Sequence, residues 1–225
     1  MRFCNIVFDL DGTLIDSARL TGVIIDQMLD KRGVDMRASR DLIRKMDAIG
    51  GEAMIAAVLG PHSINPAAEI EEFRALHRTT NVPAELPFPG VREALGELSA
   101  SGIGLAICSN KPQFLCDKIL GDLGLAQHFT AIIGSSPDRA RKPAPECAQL
   151  AVAALRGSSR DTLYCGDSVI DIGTARAAGL MATLVRWGYG TADALKIEPR
   201  TPVLESMFAL SEALEGHGQL CFPGG

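Results

Sequence analysis

Short apolar runs of strand length recur along the chain, separated by polar or glycine-containing segments. They cover residues 6–8, 103–108, 131–133, 163–165 and 181–185. Between the later runs, apolar residues have helical spacing, as at Val91, Leu95 and Leu98. Because parallel strands need crossover connections, this alternation predicts an α/β fold with a doubly wound, Rossmann-like parallel sheet.

One stretch, residues 17–87, breaks this alternation because it carries helical patterns and no convincing strand. We therefore expect a smaller α-helical domain over 17–87, inserted after the first strand of an α/β core formed by 1–16 and 88–218. The ending, 221–225, predicts a loose tail. The helical patterns cover 20–28, 42–46, 54–59 and 70–76.

Composition and charge exclude several classes of function. Of the 225 residues, 47% are hydrophobic and 22% are charged, which is an ordinary globular balance. A net charge of −5 and an aromatic content of 5% argue against a broad surface for nucleic acid or for anionic lipid. No apolar run approaches the roughly 18 residues that a membrane-spanning helix needs.

The six cysteines indicate a reducing compartment. None has the C-x-x-C spacing of zinc or redox sites. Asp9 and Asp11 interrupt the stretch that a secretory signal would keep apolar. We therefore expect reduced, mostly buried thiols in a cytoplasmic protein.

Two acids, Asp9 and Asp11, follow directly after the first apolar run. In an extended chain, residues spaced by two point to the same side. Two close carboxylates repel each other unless a cation lies nearby, so the pair is suited to a divalent metal or to a nucleophile and a proton carrier. The alternative is a solvated acidic turn.

Polar residues also follow the second and third runs. Ser109 and Asn110 come directly after the second run, where a hydroxyl and backbone N–H groups can bind phosphate oxygens. A helix N-cap is the structural alternative for Ser109. Lys142 follows the third run and can neutralise an anionic ligand, although most lysines are simply solvated.

Acids appear again after the fourth run, at Asp167 and Asp171. Asp167 lies at the strand end, where a carboxylate suits a hard cation such as Mg²⁺. Ser168 and Asp171 have the spacing of a capping box, which gives both a possible structural role. Since ligands bind beyond the carboxyl ends of parallel strands, all these groups should meet in one crevice suited to Mg²⁺ and phosphate.

At these residues the sequence resembles the haloacid dehalogenase (HAD) superfamily of hydrolases, near its phosphoglycolate phosphatase-like group. The resemblance implies a phosphoric monoester hydrolase that acts through an aspartyl-phosphate, with an α-helical cap over 17–87. The motifs that carry the resemblance are FDLDGTL at 8–14, SNKP at 109–112, KP at 142–143, GDSVID at 166–171 and, more weakly, WGYG at 187–190.

The resemblance also implies residue roles. Asp9 is then the nucleophile and Asp11 the general acid and base. Mg²⁺ is held by Asp9, the Asp11 carbonyl and Asp167, with Asp171 bound directly or through water. The implied phosphate-binding residues are Ser109, Asn110 and Lys142.

Within the helical insert, Gly50 and Gly51 are candidates to bind a substrate carboxylate, with Arg44 assisting. The alternative is a plain helix–helix turn. We expect the substrate to be a small phosphorylated metabolite. We expect no nucleic-acid or membrane partner, and a protein that is a monomer or a homodimer. A sugar phosphomutase, a phosphonate hydrolase and a non-catalytic phosphate-binding homologue stay open as alternatives.

Overall fold

The structure is a computed structural model that describes residues 2–47, 49–213 and 220–221. By internal packing the chain divides into two compact units. The helical unit is Asp16–Leu86, and the core unit combines Met1–Ile15 with Pro87–Gly225.

A six-stranded parallel sheet forms the centre of the core unit, which confirms the predicted fold class. A separate antiparallel pair joins β1 (Arg2–Phe3) to β8 (Leu220–Cys221). The prediction of a loose tail is therefore wrong for Cys221, and 222–225 lie outside the described residues. The sheet strands are β2 (Asn5–Phe8), β3 (Gly104–Pro112), β4 (Ala131–Ser135), β5 (Thr162–Gly166), β6 (Met181–Val185) and β7 (Val203–Leu204).

The strand order is β4-β3-β2-β5-β6-β7, so the chain runs outward on one side of β2 and then on the other. Every residue of β2 and of β5 is buried, as expected for parallel strands that are covered on both faces. This order reverses beside β2, and ligands of open α/β sheets bind at such reversals. Asp9 follows β2 directly.

The helical unit contains the four predicted helices. Leu20, Ile24 and Met28 form part of the buried face of the first helix. The Ser39 hydroxyl caps the second helix by accepting from the Leu42 N–H at 3.3 Å. Gly50 precedes the third helix with φ 60°, a conformation that favours glycine. The bounds are α1 (Ser17–Lys31), α2 (Arg40–Met46), α3 (Gly51–Leu59) and α4 (Pro66–Thr79), with a 3₁₀ turn at Gly60–His62.

Among the described residues, six further helices belong to the core unit. Small residues on the helix that precedes β5, among them Cys147, Ala148 and Ala151, pack in one cluster with Val7 and Tyr164 of the sheet. None of the described helices is both long and apolar enough to span a bilayer. The bounds are α5 (Val91–Ala100), α6 (Gln113–Asp122), α7 (Glu146–Ala154), α8 (Val169–Ala177), α9 (Thr191–Ile197) and α10 (Phe208–Glu212), with a 3₁₀ turn at Ala126–His128.

Candidate active site

Asp9 is the first residue beyond β2, and its carboxylate is buried. Its N–H donates to the Cys165 carbonyl at 2.9 Å, which extends the pairing of β2 with β5 by one bond. The chain then turns tightly, with the N–H groups of Leu14 and Ile15 both donating to the Leu10 carbonyl. The sheet therefore fixes the backbone of Asp9 on a central strand.

Lys142 lies beside Asp9, with its side chain only 4% exposed. Its Nζ is 2.7 Å from Asp9 Oδ1, 2.7 Å from Asp171 Oδ1, 3.1 Å from the Cys108 carbonyl and 3.3 Å from the Tyr164 hydroxyl. An ammonium group has three protons, so these four oxygens use its full donor capacity. Lys142 is a shared counter-ion for two buried acids.

Asn110 holds the backbone of Lys142 in place. The Lys142 N–H donates to Asn110 Oδ1 at 2.8 Å, and Asn110 Nδ2 donates to the Lys142 carbonyl at 3.2 Å. Both ends of the side-chain amide are thus engaged by a residue 32 positions away. This contact joins the end of β3 to the loop that carries Lys142.

Asp171 is almost fully buried, and both of its carboxylate oxygens accept hydrogen bonds. Oδ1 accepts from Lys142 and from the Tyr164 hydroxyl at 3.2 Å. Oδ2 accepts from the N–H groups of Asp167 and Ser168 and from the Ser168 hydroxyl at 2.6 Å. The capping box at the start of α8 is therefore present, and Asp171 also holds Lys142.

The two acids that contact Lys142 differ in pKa. Burial raises the pKa of Asp9 from 3.8 to about 7, and repulsion from Asp171 and Asp11 adds to it against the attraction of Lys142. Burial also opposes ionisation of Asp171, but Lys142 and the donors from Ser168 and Asp167 outweigh it and lower the pKa.

The lysine itself stays charged. Burial alone would lower the pKa of Lys142, but Asp171 and Asp9 together raise it well above its ordinary value. One cation thus faces two acids, and Asp171 has the additional hydrogen bonds that favour its ionised form. The negative charge of Asp9 is therefore the one that is not fully compensated, so a further cation would bind most favourably next to Asp9.

Asp9, Asp167 and Asp171 can each offer an oxygen such that all three atoms lie within 4.8 Å of one another. All three residues are buried. A compact group of carboxylates in this arrangement fits a hard divalent cation, which prefers oxygen ligands. The structure therefore brings together the acids that the sequence places after two different strands.

Asp11 lies next to a lysine that the sequence-based site did not include. Its Oδ1 is 3.2 Å from Nζ of Lys111, and both side chains are 13% exposed. The Ser109 hydroxyl is buried and accepts from the Lys111 N–H at 3.2 Å. Pro112, not Ser109, occupies the N-cap of α6, so the capping alternative for Ser109 is wrong.

Tyr164 was also missed, although a hydroxyl-bearing residue in the apolar run 163–165 was a usable signal. Its side chain is fully buried, and its hydroxyl touches both Lys142 and Asp171. A buried tyrosine hydroxyl usually has a polar partner. Since Tyr164 stands two residues before Gly166, near the strand end where the acids follow, those acids were the expected partners.

The three candidate substrate contacts lie in the helical unit. Arg44 Nη2 donates to Asp16 Oδ2 at 3.0 Å, so Arg44 is held to the residue that precedes α1. Gly50 and Gly51 both have positive φ, and a Cβ on Gly51 would meet no atom within 4 Å.

The family described as haloacid dehalogenase-like hydrolase matches residues 6–185. The chain belongs to this family. A phosphoglycolate phosphatase of Mesorhizobium japonicum is 34% identical over 205 residues, covering 86% of this chain and 87% of the relative. A phosphoglycolate phosphatase of Pectobacterium atrosepticum is 30% identical over 218 residues, covering 95% and 92%. The predicted resemblance and the predicted class of enzyme, a phosphoric monoester hydrolase, are confirmed.

Solved structures agree on the fold. One described as a predicted phosphoglycolate phosphatase from Haemophilus somnus has a TM-score of 0.77 and 24% identity. The alignment covers 91% of this chain and 95% of that chain.

Proposed function

We propose that this enzyme is a Mg²⁺-dependent phosphatase that hydrolyses a small phosphomonoester, with 2-phosphoglycolate as the first candidate. The observation that carries the proposal is the buried group of Asp9, Asp167 and Asp171, two of which contact Lys142, next to the central strand. The names of the two relatives support the choice of substrate.

Asp9 and Asp167 are the proposed direct oxygen ligands of the metal, together with the Asp11 carbonyl. The hydrogen bonds to both oxygens of Asp171 support an indirect role for it, through water and through its contact with Lys142. When bound, the divalent cation neutralises charge on Asp9 and on the phosphoryl oxygens.

In the proposed reaction, a carboxylate oxygen of Asp9 attacks phosphorus and the bond to the ester oxygen breaks. Asp11 gives a proton to the departing oxygen and later takes one from the water that hydrolyses the aspartyl-phosphate. Its contact with Lys111 supports a carboxyl group that is held in a fixed orientation. The products are an alcohol and inorganic phosphate.

Ser109, Asn110 and Lys142 are proposed to bind the phosphoryl oxygens, with Lys142 exchanging one of its four present acceptors for a phosphoryl oxygen. Because the Asn110 side chain is engaged by Lys142, its contact with phosphate would come from the backbone N–H. Lys142 adds a positive charge at the nucleophile, which a dianion needs in an acidic site.

Substrate selection is proposed to involve the helical unit as a cap, through Arg44, Gly50 and Gly51. A carboxylate bound by Arg44 would compete with Asp16 for the guanidinium. Because the Arg44 side chain is 40% exposed, its guanidinium is proposed to favour a substrate with a negative group besides its phosphate.

Phosphate release from a panel of phosphomonoesters, with Mg²⁺ or with a chelator, tests the function. We expect turnover with Mg²⁺ only, and a loss of roughly 10³-fold or more in kcat for Asp9→Asn. Asp193→Asn is the matched control, because its side chain is 81% exposed. No release from the panel by folded protein would reject the proposal, and an isomerised sugar phosphate or a cleaved C–P bond would favour an alternative.

A further inference from the structure

The segment 187–191, which follows β6 and enters α9, lies against Asp167. We refer to it as the 187–191 loop. Its sequence, Trp-Gly-Tyr-Gly-Thr, contains two glycines whose role the proposed reaction leaves unexplained. Both glycines approach Asp167 closely.

Gly188 leaves no room for a side chain. A Cβ built there would lie 2.2 Å from Asp167 Cβ and 2.6 Å from Thr191 Oγ1, distances that real Cβ atoms do not show. Gly188 does not have a positive φ, so its backbone would accept alanine. The requirement for glycine at this position is therefore set by the closeness of Asp167 and Thr191.

Polar contacts hold Asp167 at the same place. The Gly190 N–H donates to Asp167 Oδ2 at 3.2 Å, which orients the carboxylate. The buried Thr191 hydroxyl lies 3.1 Å from the Asp167 carbonyl and 2.7 Å from the Val185 carbonyl, and its single proton is shared between them. The loop thus contacts both the side chain and the backbone of Asp167.

The same carboxylate oxygen of Asp167, Oδ2, also lies close to Gly12. A Cβ at Gly12 would lie 2.5 Å from Asp167 Oδ2 and 3.0 Å from the Tyr189 ring. Trp187 Nε1 donates to the Thr13 carbonyl at 3.1 Å, which joins the loop to the turn that carries Asp11. Asp167 therefore lies close to both the turn at Gly12 and the 187–191 loop.

We propose that the 187–191 loop positions Asp167 for the divalent cation, and that Gly188 and Thr191 are positioning residues that set the affinity for that cation. The inference rests on the part of the proposed function that assigns a metal to Asp167. Residues that orient a metal ligand through hydrogen bonds or packing typically change metal affinity by about 10–100-fold.

The test measures binding of Mn²⁺, as a probe for Mg²⁺, to the full chain without substrate, by electron paramagnetic resonance. Gly188→Ala is expected to raise the Kd by about 10–100-fold. Gly121→Ala is the matched control, because a Cβ at Gly121 in α6 meets nothing within 4 Å, and its Kd should equal that of the wild type. A folded Gly188→Ala protein with the wild-type Kd would overturn the proposal.

Thr191→Val keeps the branched shape and removes the hydroxyl, so it tests the loop even if Gly188→Ala does not fold. We expect a Kd that is weaker by about 10-fold, and recovery to the wild-type value in Thr191→Ser. A purely structural role of Thr191 would lower the unfolding temperature and leave the Kd unchanged, which contradicts the proposal.

The outcomes separate this proposal from the proposed function. Wild-type protein that binds Mn²⁺ but releases no phosphate would reject the phosphatase and leave the role of the loop intact. Wild-type protein that binds no Mn²⁺ would overturn the role of the loop. In an active enzyme, Gly188→Ala should need more Mg²⁺ for half-maximal rate and approach the wild-type kcat at saturation.

Discussion

Two groups of charged residues, one in each unit of this enzyme, are held in different ways. In the core unit, Lys142 contacts Asp9 and Asp171, which are 133 and 29 positions away in the sequence, and all three are buried. In the helical unit, Arg37 pairs with Asp30, seven positions away, and both side chains are more than half exposed. The first arrangement depends on the folded sheet, whereas the second is a local pair that water screens.

This difference predicts unequal effects of removing a cation. Lys142→Met leaves two buried acids without a counter-ion, and we expect a loss of about 3–5 kcal/mol in the free energy of unfolding at neutral pH. Arg37→Met should leave the urea midpoint unchanged within experimental scatter, because exposed ion pairs contribute little. Urea unfolding of both variants measures the contrast, and equal midpoints would contradict it.

The buried acids also predict an effect of pH on the metal-free protein. The pKa of Asp9 rises from 3.8 to about 7 on folding, so between these values the folded state keeps a proton that the unfolded state has lost. Stability from this group is therefore lost as the pH rises through that window.

Asp9→Asn removes this titration. The unfolding temperature of the Asp9→Asn variant should exceed that of the wild type by a small amount at about pH 5 and by a larger amount at about pH 8. Thermal unfolding in the presence of a chelator measures this difference. Asp193→Asn, the exposed control, should show no such trend. A difference in unfolding temperature that does not change with pH would contradict the raised pKa of Asp9.

A smaller effect is expected from a single hydroxyl in the same group. Tyr164→Phe keeps the ring and removes one donor to Asp171, so it should cost about 1.5 kcal/mol of unfolding free energy. In the Lys142→Met background the same substitution should cost a different amount, because the hydroxyl contacts both residues. Strictly additive losses by urea unfolding would show that the two residues act independently.

The sequence predicts those parts of the structure that follow from local pattern. Four buried residues make β2 a clear apolar run, and Asp9 and Asp167 stand where strands end. Because parallel strands end at one edge of a sheet, acids far apart in the chain could be assigned to one site before any distance was known. The four helices of the helical unit follow in the same way from their apolar spacing.

Other contacts require the folded chain. The pairing of Lys111 with Asp11 depends on how β3 lies beside β2, and the fit of Gly188 against Asp167 depends on the path of the loop after β6. A glycine gives no sign in the sequence of which atom fills the space beside it. The short strand β7 also has too few residues to form a pattern.

The central place of β2 has a consequence for the lifetime of the site. Asn5–Phe8 is hydrogen-bonded to β3 on one side and to β5 on the other, and the Asp9 N–H continues the second ladder. Central strands exchange their amide protons mainly through global opening, while loops and ends open locally. Fluctuations that loosen the edge of the sheet therefore leave Asp9 in place, and Asp9 loses its position only when the whole core unit unfolds.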